Sequence, residues 1–270
     1  MDRIFKVRKD KLDLRDHLAM RSAATLSYAV NLSANLGPVR DQGQVGSCTG
    51  QAGSGWMDWL FATFRQYFLH APTGAIEFSA LFLYAQERLK NHTFPDDSGS
   101  DSRTLMQVLN QIGICLNAVD PYVDTAIANQ PSADMIAAAG LFKIGAYHRV
   151  LFDDGLATAK SVLASGYCRV IGIPVYQSIQ SDEVAETGLL PIPSSTETPV
   201  GGHEMLVWGY DDSVKIGTAQ GAEQVRNSWG ADWGIKGNLR IPYDYYAAVG
   251  GNDTCDSWVG HMGKPWVPKP

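Results

Sequence analysis

A cysteine beside a glutamine is the first place where this chain could do chemistry. Cys48 opens an amphipathic helical run, and Gln42 stands six residues before it, with Gly43, Gly46 and Ser47 in between. A thiol at a helix N-terminus is favoured as the thiolate by the helix dipole. A side-chain amide close by can donate to negative charge. The arrangement predicts a cysteine that reacts rather than one that only packs.

A nucleophilic thiol also needs a base and a group that orients the base. Among the six histidines, His203 opens a strongly apolar predicted strand directly after Gly201 and Gly202. These glycines allow the close approach of a neighbour. Asn227 follows 24 residues later, beside Trp229. An asparagine that accepts from one imidazole nitrogen leaves the other nitrogen free for the thiol.

The elements that position these residues divide the chain into a helical half and a strand-rich half. Helical periodicity predicts helices over residues 48–69, 78–90, 103–111 and 155–164. Strand patterns between glycine-rich and Asp/Asn turns cover residues 169–175, 203–210, 223–228 and 238–241. Helices followed by strands indicate an α+β fold with two lobes. A cleft between the lobes is the natural place for the site.

Composition excludes several classes of partner. The 270 residues carry a formal net charge of −6, which argues against nucleic acid. No run approaches the roughly 20 apolar residues of a membrane span, so no membrane partner is expected. The N-terminus is charged and lacks the apolar region of a secretory signal. We expect a cytoplasmic monomer, with export by a non-classical route left open.

The four cysteines are too few for a disulfide scaffold. No CxxC pair or Cys/His cluster suggests zinc, and no metal or cofactor is predicted. We therefore expect free thiols at Cys115, Cys168 and Cys255 in a reducing compartment, with a Cys115–Cys168 bridge as the alternative.

Three segments together resemble the papain-like cysteine proteases. Residues 38–48 are similar to the nucleophile segment of that family, residues 202–210 to its histidine strand, and residues 226–230 to its Asn-Ser-Trp-Gly segment. The segments occur in the family's order, and the similarity spans about residues 30–247. The Cys-Thr pair at 48–49 and the helix at 78–84 are typical of the bacterial branch typified by xylellain.

This resemblance implies a helical N-terminal lobe, an antiparallel β-barrel-like C-terminal lobe and an active site in the cleft between them. It implies that Cys48 is the nucleophile, that His203 is the general base and then the acid, and that Asn227 orients His203. Gln42 and the Cys48 backbone N–H would donate to the oxyanion. The Cys48 and His203 side chains would form a thiolate–imidazolium pair.

The resemblance also implies residues that bind the peptide or protein substrate. Trp229 would cover the His–Asn hydrogen bond, and Gly99 and Gly202 would let the substrate backbone approach. Glu204 stands where the family has a small residue that walls the S2 pocket. We predict that Glu204 narrows this pocket or favours a basic P2 side chain, and the alternative is a salt-bridged or surface carboxylate.

Two further alternatives stay open at the level of the sequence. The predicted function is peptide hydrolysis, while acyl transfer (transpeptidation) by the same triad and a non-catalytic papain-fold binding module are the other candidates.

Residues 37–270 would form the peptidase domain. Residues 1–36 are a polar N-terminal extension that either straps the two lobes together or covers the cleft and restrains activity.

Overall fold

Seven α-helices and seven β-strands make up the part of the chain that the computed structural model describes, residues 3–22, 25–68 and 76–263. The helices are Cys48–Phe68 (α1), Ala80–Lys90 (α2), Ser102–Gln111 (α3), Ala133–Ala139 (α4), Ala157–Ala164 (α5), Asp182–Thr187 (α6) and Tyr243–Ala248 (α7). The strands are Ala29–Asn31 (β1), Ala146–Arg149 (β2), Arg169–Tyr176 (β3), Pro199–Ile216 (β4), Ala219–Arg226 (β5), Asn238–Pro242 (β6) and Asp256–His261 (β7). Leu69, the expected last residue of the first helix, lies outside the described residues.

Helices α1, α2 and α3 pack closely because small residues line α1. A Cβ atom on Gly50 would lie 2.6 Å from the carbonyl oxygen of Ala80, and one on Gly53 would lie 2.3 Å from Leu105 Cδ1. Glycine costs about 1 kcal/mol relative to alanine inside a helix. Here it lets α2 and α3 approach the backbone of α1, which builds the helical lobe around the helix that begins with Cys48.

The second lobe is an antiparallel sheet with the strand order β2-β7-β3-β4-β5-β6, and β1 pairs with β4. The expected α+β fold with two lobes is confirmed. The sheet is an open one, however, and it does not close into a barrel. Strands β1, β2 and β7 were not among the expected strands, and β7 pairs with both β2 and β3 in the middle of the sheet.

The two lobes meet where α1 packs on β4. Trp56 of α1 is fully buried, and its Nε1 donates to the carbonyl oxygen of Cys168 at 3.1 Å. The Gly260 backbone comes so close that a Cβ there would lie 2.6 Å from the Trp56 ring. These contacts hold α1 against β7 and against the start of β3, which pairs with the strand that carries His203.

The N-terminal extension packs along both lobes. The backbone of Arg149 in β2 donates to the carbonyl oxygen of His17 at 2.7 Å and accepts from Ala19 at 2.8 Å.

The described helices include none that is long and apolar enough to cross a membrane. All four cysteines are buried free thiols, so the bridge considered between Cys115 and Cys168 does not form.

Candidate active site

The catalytic candidates lie at the junction of the lobes. Cys48 is the first residue of α1 and is fully buried. His203 lies in β4, and Asn227 directly follows the end of β5. The backbone N–H of Glu204, the residue after His203, faces the Cys48 sulfur. The chain therefore brings its thiol to the histidine strand.

His203 is held by Asn227 in a defined protonation pattern. The distance from His203 Nε2 to Asn227 Oδ1 is 2.8 Å, and the same Oδ1 accepts the backbone N–H of Ser228 at 2.8 Å. Since this acceptor is an oxygen, Nε2 must carry the hydrogen. The neutral ring then has its lone pair on Nδ1, which has no hydrogen-bond partner among the described residues. Nδ1 is thus available as a base.

Trp229 covers this hydrogen bond. Its ring stacks on the His203 ring with the centroids 5.1 Å apart and an interplanar angle of 29°. Trp233 meets Trp229 edge-on at 4.8 Å. The indole excludes water from the His–Asn pair, which strengthens a hydrogen bond in this low-dielectric setting.

Gln42 is fixed by neighbours that the sequence did not reveal. Its Oε1 accepts from the hydroxyl of Ser228 at 2.7 Å, and its Nε2 donates to the carbonyl oxygen of Val45 at 2.8 Å. Tyr122 donates to the Gln42 carbonyl oxygen at 2.9 Å. One of the two N–H bonds of the amide is left for another acceptor. Ser228 stands inside the recognised motif, whereas nothing in the pattern around Tyr122 marks it as part of the site.

Burial acts against the predicted thiolate–imidazolium pair in the covered site. Burial raises the pKa of Cys48 to about 12, although the Glu204 backbone N–H acts in the opposite direction. Burial also lowers the pKa of His203 to about 4, against the effect of Asn227. Both shifts favour the neutral thiol and the neutral imidazole over the ion pair, because both residues are fully buried.

The N-terminal extension lies against His203 and contributes to its burial. The Phe5 ring meets the His203 ring edge-on at 5.7 Å and the Trp229 ring at 5.8 Å. Arg3 donates to the carbonyl oxygens of Gly43 and Trp229, each at 3.3 Å. The extension therefore occupies the space beside the His203 and Trp229 rings.

Backbone contacts hold the extension between two walls of the cleft. The Val7 N–H donates to the carbonyl oxygen of Gly202 at 3.0 Å, and the Arg8 N–H donates to that of Ser100 at 2.9 Å. A Cβ on Gly202 would lie 2.3 Å from the Val7 carbonyl oxygen, and one on Gly99 would lie 1.9 Å from that of Lys6. Both predicted substrate-binding glycines thus face extended backbone at van der Waals contact.

Glu204 lies beneath the extension rather than at the surface. It is fully buried, and its Oε2 accepts from the Ser102 hydroxyl at 2.6 Å. A Cβ on Gly172 would lie 2.7 Å from this Oε2 and 3.3 Å from Val7 Cγ1, so the carboxyl and the Val7 side chain share one pocket. Burial raises the pKa of Glu204 well above its usual range. Its other oxygen has no hydrogen-bond partner among the described residues.

Comparisons with known proteins agree with this geometry. The family described as papain family cysteine protease matches residues 27–256. An uncharacterized peptidase C1-like protein of Acanthamoeba polyphaga mimivirus is 31% identical over 225 residues, which cover 81% of this chain and 68% of the viral protein.

Two solved structures share the fold. Xylellain, a cysteine protease from Xylella fastidiosa, is 28% identical with a TM-score of 0.83, and the match covers 96% of each chain. Digestive procathepsin L 3 of Tenebrio molitor is 20% identical with a TM-score of 0.69, covering 92% of this chain and 74% of the other. This second likeness concerns the fold alone.

The chain belongs to the papain family of cysteine proteases. Within that family it is a cysteine-type peptidase, and its features fit the bacterial branch of xylellain.

Proposed function

We propose that this peptidase cleaves peptide bonds through a thioester acyl-enzyme on Cys48. The buried hydrogen bond between His203 and Asn227, with Nδ1 unpartnered on the strand that meets Cys48, carries the proposal. The Cys48 thiol gives its proton to His203 Nδ1, and its sulfur attacks the substrate carbonyl carbon. His203 then gives the proton to the leaving amine as the C–N bond breaks. Water, deprotonated by His203, cleaves the thioester and restores the thiol.

In this mechanism Gln42 and the Cys48 backbone N–H stabilise the tetrahedral oxyanion. The hydrogen bonds from Ser228 and to Val45 fix the Gln42 amide before the reaction, which is what such a donor requires. Labelling of the uncovered protein, which is the chain without residues 1–8, tests the proposal. An epoxide of the E-64 type should modify Cys48 there, and mass spectrometry should locate a single adduct. Labelling elsewhere, or none, would rule out the assigned nucleophile.

Replacing Gln42 with alanine should lower kcat by about 100-fold or more and change KM little, because the lost donor acts on the transition state. Peptide turnover by the uncovered chain is the measurement. Gln44→Ala is the matched control, since Gln44 is an exposed amide in the same turn. Equal kcat values for the two variants would contradict the role of Gln42.

Hydrolysis and acyl transfer share this site, and the acceptor decides between them. We favour water as the acceptor because the chain is a peptidase by family. Mass analysis of products with and without an added amine separates the two reactions: free acid in both cases supports hydrolysis, and an amide product supports transfer.

We further propose that the extension inhibits the enzyme by occupying the cleft. Val7 fills the pocket beside Glu204, whereas Phe5 and Arg3, which precede it, lie at His203, Trp229 and Gly43. A substrate places its P2 residue at the Glu204 pocket and its later residues beyond Cys48. The extension runs in the opposite direction, so its carbonyl groups do not present a scissile bond in the productive order.

For substrate choice we propose that Glu204 favours a basic P2 side chain once Val7 has left the pocket. A Lys or Arg there would pair with the carboxyl that carries an unpartnered oxygen and would allow it to ionise. Glu204→Gln should lower kcat/KM for P2 arginine about tenfold or more and leave P2 leucine within about twofold. Matched fluorogenic peptides give both values. A wild-type preference for leucine, unchanged in the variant, would leave Glu204 with the narrowing role only.

A further inference from the structure

A second cavity, of about 280 Å³, opens on the sheet lobe. Its wall includes Trp208 of β4, Arg226 of β5, Asn238 and Arg240 of β6, and Lys236 in the turn before β6. None of the four catalytic candidates lines it, and the mechanism above makes no use of it.

The wall of this cavity is cationic. Among the residues that the structure describes, three basic side chains line it and no Asp or Glu does. Within the described part of the chain, no carboxylate lies within 4.0 Å of Arg226, Lys236 or Arg240. Asp211, which does not line the cavity, is affected by the charge of Arg240. The pKa of Asp211 is lowered mainly by hydrogen bonds from Ser213, however, and only weakly by Arg240. The positive charge of the cavity is thus not neutralised by its own wall.

Arg226 is the most constrained of these cations. Its Nε donates to Asn238 Oδ1 at 2.8 Å and its Nη1 to the carbonyl oxygen of Gly37 at 3.0 Å, both neutral acceptors. These are the two hydrogen bonds that the guanidinium makes within the described part of the chain. Burial lowers the pKa of Arg226, and no acid among the described residues offsets this. A partly buried guanidinium without a counter-charge is poised to bind an anion.

Asn238 fixes the shape of the cavity. Besides Arg226, its Oδ1 accepts from Trp208 Nε1 at 3.2 Å, and its amide nitrogen donates to the carbonyl oxygens of Ile235 and Lys236 at 2.9 and 3.0 Å. One side chain therefore holds the indole, the guanidinium and the turn that carries Lys236. A wall ordered in this way loses little conformational freedom when a ligand binds.

The cavity also has an apolar side. Leu36, Ile235 and Leu239 line it together with the half-buried Trp208. An indole and aliphatic groups accommodate a planar ring, and the volume has room for a ring that bears an acidic group.

We propose that this cavity binds a small anion that carries a planar ring, an aryl phosphate or an aryl carboxylate. The anionic group would contact the guanidinium of Arg226, Lys236 and Arg240, and the ring would lie against Trp208. Arg226 directly precedes Asn227 and is bonded to Gly37, at the start of the segment that leads to Gln42. Such a ligand would therefore bind beside the backbone that carries two catalytic residues.

Calorimetric titration of the intact protein with phenyl phosphate, benzoate, inorganic phosphate and phenol tests this proposal. We expect phenyl phosphate or benzoate to bind at least about tenfold more tightly than both inorganic phosphate and phenol, and the tighter of the two identifies the acidic group. Arg240→Gln with Lys236→Gln should weaken that binding about tenfold or more. Trp208→Leu should weaken the aryl ligand and leave inorganic phosphate unchanged.

Lys215→Gln is the matched control, because Lys215 is an exposed lysine on β4 that does not line the cavity. Circular dichroism confirms the fold of each variant. Absence of binding by either aryl anion up to about 10 mM, or equal affinity of the wild type and the double variant, would overturn the proposal.

Discussion

Cys48→Ala is expected to lower kcat/KM of the uncovered enzyme by at least about 10,000-fold, because the covalent step disappears with the thiol. What turnover remains would come from binding and oxyanion stabilisation alone. Removing residues 1–8 provides the active starting protein, and a fluorogenic peptide with active-site titration provides the measurement. The substitution takes away one sulfur atom from a buried position, so the fold should persist.

Cys115→Ala is the control for that experiment. Cys115 is also a fully buried free thiol, but it lies in the core of the helical lobe. Its loss should leave kcat/KM within about twofold, since it touches no reacting atom. Comparable loss in both variants would mean that core packing, and not the nucleophile, explains the effect.

Removing residues 1–8 is expected to raise both peptide turnover and the rate of Cys48 alkylation by at least about 100-fold at pH 7. In the full chain, burial raises the pKa of Cys48 to about 12, which disfavours the thiolate. Once Phe5 and Val7 leave, solvent and the helix dipole can stabilise the thiolate beside a protonated His203. Iodoacetamide labelling followed by mass spectrometry measures this directly.

The cut after residue 8 leaves the neighbouring anchor intact. Asp10 accepts from Trp258 Nε1 at 2.7 Å and from the backbone of Arg103 at 2.9 Å, and both bonds remain. A second variant, Lys6→Ala with Val7→Pro, keeps the full length of the chain. It loses the Lys6–Asp97 ion pair and the hydrogen bond from the Val7 N–H to the carbonyl oxygen of Gly202. Leu14→Ala is the control, because Leu14 is 92% exposed. Unchanged turnover together with a lower unfolding temperature would identify the extension as a strap and not an inhibitor.

The order of helices and strands was predictable where each element carries its own periodic pattern. The first helix was expected from Cys48, and it begins there. Strand β7 was not predictable, because a strand buried on both faces next to β3 and β2 shows no alternation, and Asp256 and Ser257 within it read as polar loop residues. Strand β1, with three residues, depends entirely on its pairing with β4.

The order of the motifs along the sequence predicted the residues of the catalytic triad, but it did not predict how the N-terminal extension covers them. Phe5, which covers the His203 ring, lies 198 residues from His203 in the chain, and no local pattern encodes that contact. Arg226 was visible only as the residue before Asn227. Its lack of a carboxylate partner is a property of how β4, β5 and the β6 turn come together.

The path of the extension has a consequence for how firmly inhibition holds. A tethered segment benefits from an effective concentration in the millimolar range, so modest contacts suffice to keep the cleft occupied. Leu12 and Leu14, on the far side of the anchor at Asp10, are 83% and 92% exposed. A single backbone cut there would turn the tethered inhibitor into a free peptide that dilution can remove. The enzyme's latency would then depend on protein concentration, whereas in the intact chain it does not.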